Sequence, residues 1–591
     1  MSLCRTLVIA SLATAAYSVK NFPPRNALTL LGPVYQATTN STWPQYANAV
    51  SEAHDALSQA IATGASAYGA IDNQTTSFSI AVYSATDNST IFDFHFEAPQ
   101  LNGSYTAGKL TDNTIYRTGS IGKLLTIYAW LVDIGDSVFL DPITRYVPEL
   151  AQAVATQPRN PILYTNWDEV TVGSLASQLS GIGRDVDFGD FATDTIGGPT
   201  LSEDIAAGYP PLTDETIPQC SLYSQTERVC TRQEFFTEMI NHRPTFPAYT
   251  TPAYSNVAYV ILGMAYENIT GRTLEDAYTD LYHNKLGMLS TTAAYPGRDV
   301  DAVIPRNDSY AAFSLDLGLY GPAGGQYSTI KDFTTWGQAI LQSTQLPSVA
   351  TRRWLKPTSP TGQWTNNVGA PWEIRRLPVL ADTKYNTSRI VDIYSKAGDI
   401  GQYSTFFGLV PDHKIGISVL AAGDNPTLQV LPLKDLVLDI FINAAEAAAK
   451  QQAKNAFTGI FKAIDRNSSI TLAVDEGPGV SITAWTSNST DFLNSNPFFA
   501  GFDSFRIYPT ELSTVEEGIA SFSYRGLFQT QGGQPYSDGL FNEYNDPWLG
   551  VDNWVYNNKA TDSFVVGIDR DGIVQTVHSA ALRVTMSRAS E

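Results

Sequence analysis

"YRTGSIGKLLTIYAWL", residues 116–131, decides how this chain is read. Ser120 and Lys123 are three residues apart, so a helix starting here sets them one turn apart on one face. Ile121, Leu124, Leu125, Tyr128, Leu131 and Val132 fall on one helical stripe, which predicts a helix buried on one side. A hydroxyl beside an amine at a helix N-terminus has two readings. It is an activated nucleophile, or an N-cap with a nearby surface lysine.

Bulk properties narrow the field. At 591 residues the chain is too long for one ordinary domain. A content of 43% apolar and 16% charged residues is that of a globular protein. The formal charge of −21, with no basic tract, argues against nucleic acid and against an anionic membrane surface as partners.

The first residues, "MSLCRTLVIASLATAAYSVK", read as a secretory signal over 1–18. Arg5 supplies a positive start, Leu7 to Ala16 an apolar stretch, and Ala16-Tyr17-Ser18 a small-x-small cleavage site. An N-terminal anchor or a buried helix is the alternative, but the apolar stretch is too short for a membrane span. The expected location is extracellular. Cys4 would leave with the signal. Cys220 and Cys230 remain, in "CSLYSQTERVC", and an even pair in a secreted chain reads as a local disulfide. Asn-x-Ser/Thr sequons, candidates for glycosylation, stand at Asn40, Asn73, Asn88, Asn102, Asn268, Asn307, Asn386, Asn467 and Asn488.

Patterning divides the chain. Residues 46–64 carry helical spacing and end at Gly64. "SFSIAVYSATDNSTIFDFHF" reads as two strands around an Asp-Asn turn. Residues 140–250, rich in Pro, Gly and Thr, predict short helices and long loops. "YSNVAYVILGMAYENITG" predicts a buried helix, "VDIYSKAG" a strand, and "STFFGLVPDHKIGISVLAAG" a hairpin around Pro411-Asp412. A long helix is expected from Leu433. After about residue 455, short alternating strands predict a separate all-β domain over 455–591.

Taken alone, Ser-x-x-Lys is a weak signal. It recurs at Ser328/Lys331. Tyr-x-Asn begins at Tyr46, Tyr164, Tyr254 and Tyr556, and Lys-x-Gly at Lys285, Lys396 and Lys414. Order and local structure select Ser120-Ile-Gly-Lys123, Tyr254-Ser-Asn256 and Lys396-Ala-Gly398. Ser120 opens a buried helix, Tyr254 precedes another, and Lys396 lies on a strand.

This ordered set resembles the serine β-lactamase and penicillin-binding-protein superfamily, especially its class C β-lactamase and esterase branch. "VTVGSLASQLSGIG", "FPAYTTPAYSN", "NKLGMLSTT" and "GPAGGQYSTIKDFTTW" are similar to further landmarks of that family, and the last explains Ser328/Lys331 as structure. The resemblance covers roughly 45–450, and the tail resembles a C-terminal domain found on some secreted fungal members. Three departures stand out. Gln178 replaces the usual His, Lys285 the usual Pro, and Asp399 follows Lys-Ala-Gly where a small residue is common.

The resemblance implies an α/β (α+β) fold: an antiparallel sheet flanked by helices with an all-helical insertion, within a hydrolase domain over 19–450. It implies a nucleophilic Ser120 and an acyl-enzyme. Lys123 would take the serine proton, with its pKa lowered from about 10.4 toward ~7 by burial and by Lys396. Tyr254 would shuttle the proton to the leaving group, Asn256 would orient Lys123 and the acyl side chain, and Lys396 would tune Tyr254. Gly398 and Asp399 would line the substrate site, with the N–H groups of Ser120 and Asp399 as an oxyanion hole. Asp399 itself reads as a solvated loop residue that disfavours carboxylated β-lactams.

Other chemistries fit less well. "TGSIG" lacks the first Gly of a nucleophile elbow. The six histidines are scattered with no metal-ligand spacing, so no metal and no cofactor is implied. The expectation is a secreted serine hydrolase of a small ester or amide. An acyltransferase or biosynthetic hydrolase of the same fold, and a catalytically silent binding protein, are the alternatives. The sequence sets no oligomeric state.

Overall fold

Strand Thr76–Ser84 is buried along its whole length, so its sheet must be covered on both faces. The computed structural model describes residues 29–193, 200–213, 217–222, 224, 228–382, 387–499, 501–516, 519–530 and 547–590. The signal segment, Cys4 and Asn386 lie outside the described residues.

The elements that build the site are α1 (Pro44–Thr63), β1 (Thr76–Ser84), β2 (Thr90–Phe96), α2 (Ile121–Asp133), α3 (Val257–Thr270) and α4 (Ile330–Gln342). They are followed by β3 (Ser359–Pro360), β4 (Asn366–Val368), β5 (Glu373–Asp382), β6 (Thr387–Ile400), β7 (Tyr403–Val410), β8 (Ile415–Gly423) and α5 (Pro426–Phe457). The strands form an eight-stranded sheet in the order β2-β1-β8-β7-β6-β5-β4-β3, antiparallel from β2 through β6 and from β5 through β3.

Alternation sorts the side chains between two layers. From β1, Phe78 meets Phe94 and Phe96; His54 of α1 and Phe441 of α5 pack on Phe92 of the same face. From the other face, Tyr83 and Phe407 join a large core with α2, α3 and α4, where Trp336 stacks on Phe407 at 4.6 Å. This is the expected sheet flanked by helices. The insertion between β2 and β3 consists of helices, α2 to α4 among them, and loops, with a few isolated bridges and, among the described residues, one two-residue strand pair, Tyr116–Arg117 with Tyr327–Ser328.

Two expectations need correction. The stripe on α2 predicts burial on one side, but Ile121 to Leu131 are buried all round, Lys123 included. The polar positions of α2 are accommodated by partners far along the chain: Thr126 donates to Pro322 O at 2.7 Å, and Gly122 leaves the space that the Gln326 side chain fills. The long terminal helix begins at Pro426, ahead of the expected Leu433, and carries Pro432 inside it. That proline removes one helical hydrogen bond, and its ring packs beside Gly69.

The chain divides into two compact units. One takes Ala37–Leu377 and Val391–Ala449; the other takes Met1–Gln36, Pro378–Ile390 and Lys450–Glu591. The second unit contains a nine-stranded antiparallel sheet around Trp485, Phe499, Phe528 and Phe564. Its helical content among the described residues is a turn at Phe492–Ser495, another at Pro547–Gly550, and the end of α5. Strands Gly459–Lys462 and Ser504–Glu516 join those expected from the sequence. Tyr35 donates to Gly477 O at 3.0 Å, tying the N-terminal segment into this unit.

Candidate active site

Ser120 stands at the N-terminus of α2 but does not cap it. Its side chain makes no cap hydrogen bond. Instead its Oγ accepts two hydrogen bonds, from Lys123 Nζ at 3.0 Å and from the Tyr254 hydroxyl at 2.7 Å. Lys123 reaches Ser120 because the two lie one helical turn apart. Tyr254 reaches it from the loop ahead of α3.

Lys123 is fully buried, and its Nζ also donates to Ala323 O at 2.7 Å. Burial pushes its ammonium down to about 8, and the charge of Lys396 adds to that, while Tyr254 and Asp185 oppose it. Nζ lies 4.9 Å from the centroid of the Tyr254 ring. For Tyr254, burial pushes the phenol up, but Lys396, Lys123 and the bond to Ser120 outweigh it, and the net direction is below 10. The Lys396 ammonium lies 5.3 Å from the same ring and supplies much of that field.

Lys396 is held on β6 with Nζ paired to Glu373 Oε1 and donating to Ala397 O at 2.7 Å. Burial depresses its ammonium, but Glu373 and Tyr254 outweigh this, so it stays charged above its ordinary range. Glu373 also accepts from Ala397 N at 3.0 Å. Nothing in the sequence pattern marks Glu373. The sheet order that sets β5 beside β6 brings it to Lys396.

Asn256 makes no hydrogen bond to Lys123. Its Nδ2 donates to Asp185 Oδ1 at 2.8 Å, and its side chain makes no cap bond to α3. Asp185 in turn pairs with Arg184 at 3.3 Å, and the Arg184 guanidinium carbon lies 4.7 Å from the Tyr254 ring centroid. Arg184 and Asp185 directly follow the landmark "VTVGSLASQLSGIG", and no motif in the sequence marks them. Gln178, in place of the family histidine, accepts from Ser255 N at 2.7 Å and so holds the Tyr254 loop.

Gly398 explains the third motif. A Cβ there would sit 2.2 Å from Thr118 O, 2.7 Å from Ser120 N and 2.8 Å from Ile121 N. Only glycine lets β6 come this close to the start of α2. Gly119, at φ +52°, is as tightly placed: its Cβ would fall 2.6 Å from Asp399 N. Thr405 locks the approach by donating to Thr118 O at 2.8 Å. Asp399 is not a loop residue. It lies near the end of β6, exposed, with Oδ1 accepting from Thr427 Oγ1 at 2.6 Å.

Ser120, Tyr254, Asn256, Lys396 and Asp399 line one cavity of about 320 Å³, together with Arg184, Phe188, Leu317, Tyr320, Glu373 and Ile400 among others. A hydroxyl with a depressed lysine and a depressed tyrosine on one oxygen suits nucleophilic attack. By contrast, Ser328 hydrogen-bonds Thr291 in the core, and Lys331 points to Asn113.

The β-lactamase family profile matches residues 63–440, well over half of the chain. The chain belongs to the β-lactamase family. Residues 449–590 of this β-lactamase-family hydrolase match a second profile, described as "Beta-lactamase-like-like, C-terminal domain". A "Beta-lactamase-like protein" of Arthroderma benhamiae is 27% identical over 551 residues, covering 87% of this chain and 86% of that protein. "Probable hydrolase M10" of a Phoma species is 24% identical, covering 71% and 67% of the two chains. Among solved structures, a class C β-lactamase aligns with a TM-score of 0.46 at 16% identity, covering 67% of this chain and 96% of that one.

Cys220 and Cys230 form a disulfide. Asp187 lies close to both sulfurs, but two sulfurs bonded to each other are not metal ligands. The strand segment at the bridge pairs with the cavity wall: Leu222 N donates to Asp187 O at 2.7 Å, and Gly189 N to Leu222 O at 2.8 Å, on either side of Phe188. Of the sequons, Asn88, Asn102, Asn268, Asn307, Asn467 and Asn488 are exposed, whereas Asn40 and Asn73 are half-buried. Asn73 donates to Ile61 O.

Proposed function

We propose that this chain is a secreted serine hydrolase that cleaves a small ester or amide through an acyl-enzyme at Ser120. The observation that carries the reading is the pair of hydrogen bonds, from Lys123 and from Tyr254, that meet on the Ser120 Oγ.

In the neutral form Lys123 accepts the Ser120 proton as Oγ attacks the carbonyl carbon. The negative charge that develops on the carbonyl oxygen is met by the N–H groups of Ser120 and Asp399, which Gly119 and Gly398 bring together. Ser120 N also lies at a helix start, where the dipole favours that charge. Tyr254 relays the proton to the leaving group and then activates water to release the acyl group. Lys396, charged and held by Glu373, lowers the cost of the phenolate form of Tyr254. Asn256 acts at one remove, fixing Asp185 beside Arg184 at the cavity rim.

Secretion is supported by the signal-like N-terminus and by the disulfide, a bond that persists in oxidising compartments. The exposed sequons are then open to glycosylation. A fluorophosphonate probe, or brief exposure to an activated ester, should add one mass to the chain and map to Ser120. Label on another residue, or turnover by Ser120→Ala, would refute the assignment.

A further inference from the structure

We infer that Asp399 selects substrates bearing a cationic group, such as an ammonium, close to the scissile carbonyl. The inference rests on the serine-hydrolase reading of the same cavity.

Four charged residues line the cavity, the cations Arg184 and Lys396 and the carboxylates Glu373 and Asp399, and Asp185 joins them as the partner of Arg184. Each cation has its own partner: Lys396 pairs with Glu373, and Arg184 with Asp185. Asp399 is the carboxylate left over. Its Oδ1 takes the Thr427 hydroxyl, and its Oδ2 makes no hydrogen bond among the described residues. With Lys123 neutral, as proton abstraction requires, these groups, Arg184's partner Asp185 included, sum to one negative charge.

Position makes that charge matter. Asp399 follows Gly398, whose backbone lies against the start of α2, so Asp399 lines the same cavity as Ser120. It rides on a hydrogen-bonded strand, with Thr427 restraining the side chain. An anion in the cavity lining that is already restrained costs a cationic ligand little reorganisation. The neutralisation of Lys396 by Glu373 removes the other obvious anchor for an anionic substrate. The group is exposed, so water and salt weaken its field. A discrimination of roughly 3–10-fold per charge is expected at low ionic strength.

The test uses three p-nitrophenyl esters of matched acyl length, ending in trimethylammonium, tert-butyl or carboxylate. In the full-length wild-type chain, kcat/KM should fall in that order, and the spread should shrink as salt is raised. In Asp399→Asn the ratios between the three esters should collapse toward one, whatever the absolute rates. Equal rates for the cationic and neutral esters, or an unchanged order in Asp399→Asn, would overturn the inference while leaving Ser120 chemistry intact. Failure of all three esters to acylate Ser120 would remove the underlying reading and this inference with it.

Discussion

The buried ammonium of Lys396 is paired with the carboxylate of Glu373 on the neighbouring strand. The lysine is almost wholly enclosed, whereas 44% of the glutamate side chain is exposed. The pair therefore delivers a positive charge to the Tyr254 ring without leaving it unpartnered.

Glu373→Gln should loosen this arrangement. An uncompensated buried charge is costly, but the exposure of Glu373 admits water, so a loss of about 1–2 kcal/mol is expected by urea unfolding. The Lys396 ammonium, no longer held up, should titrate lower and cease to support the Tyr254 phenolate. A drop in acylation rate that deepens with rising pH is the expected outcome. A pH profile identical to wild type would count against the role.

Ser120→Ala should abolish acylation and change stability by less than about 1 kcal/mol, because the side chain makes no cap bond to lose. Lys123 keeps its bond to Ala323 O in that variant. Tyr254→Phe should slow turnover by about 10²–10⁴-fold, the range of a lost proton relay, with little loss of fold. Rate measurement and thermal unfolding on both variants check this.

The pH dependence follows from Lys123. Its reactive form is neutral, and its pKa lies near 8, so the acylation rate should rise with pH through about 8 and then level off. The sign for stability is the same. Between about 8 and 10.5 the unfolded chain holds the Lys123 proton more tightly than the folded one, so this group's contribution becomes more favourable as pH rises. Lys123→Met should remove the basic limb from any residual activity.

Opening the Cys220–Cys230 bridge should cost about 2–3 kcal/mol in the chain-entropy model. It should also raise KM more than it lowers kcat. The bridged segment pairs with residues on either side of Phe188, which lines the cavity, and its described residues make no hydrogen bond to Ser120, Lys123 or Tyr254. The double Cys→Ser variant, assayed by unfolding and steady-state kinetics, tests both halves.

Much of the sheet was legible because its strands obey local rules. The Asp-Asn and Pro411-Asp412 turns sit where β1 and β2, and β7 and β8, reverse. The end of α1 coincides with Gly64 in a left-handed conformation, which glycine adopts freely. The three short motifs were legible as an ordered set, and the structure brings Ser120, Lys123, Tyr254 and Lys396 around one oxygen and one ring.

The sequence by itself determined which elements form and which residue types the site could draw on, because periodicity, turn chemistry and helical spacing act over a few residues. Only the tertiary structure decided how those residues are charged and partnered. Burial of α2 on every side needs Gln326 and Pro322, some two hundred positions away, and that burial is what lowers Lys123. Glu373 meets Lys396 because their strands are neighbours in the sheet, and Asn256 turns to Asp185 rather than to Lys123. Desolvation and pairing are properties of the packed interior, where groups distant in the chain replace water, and no local pattern carries them.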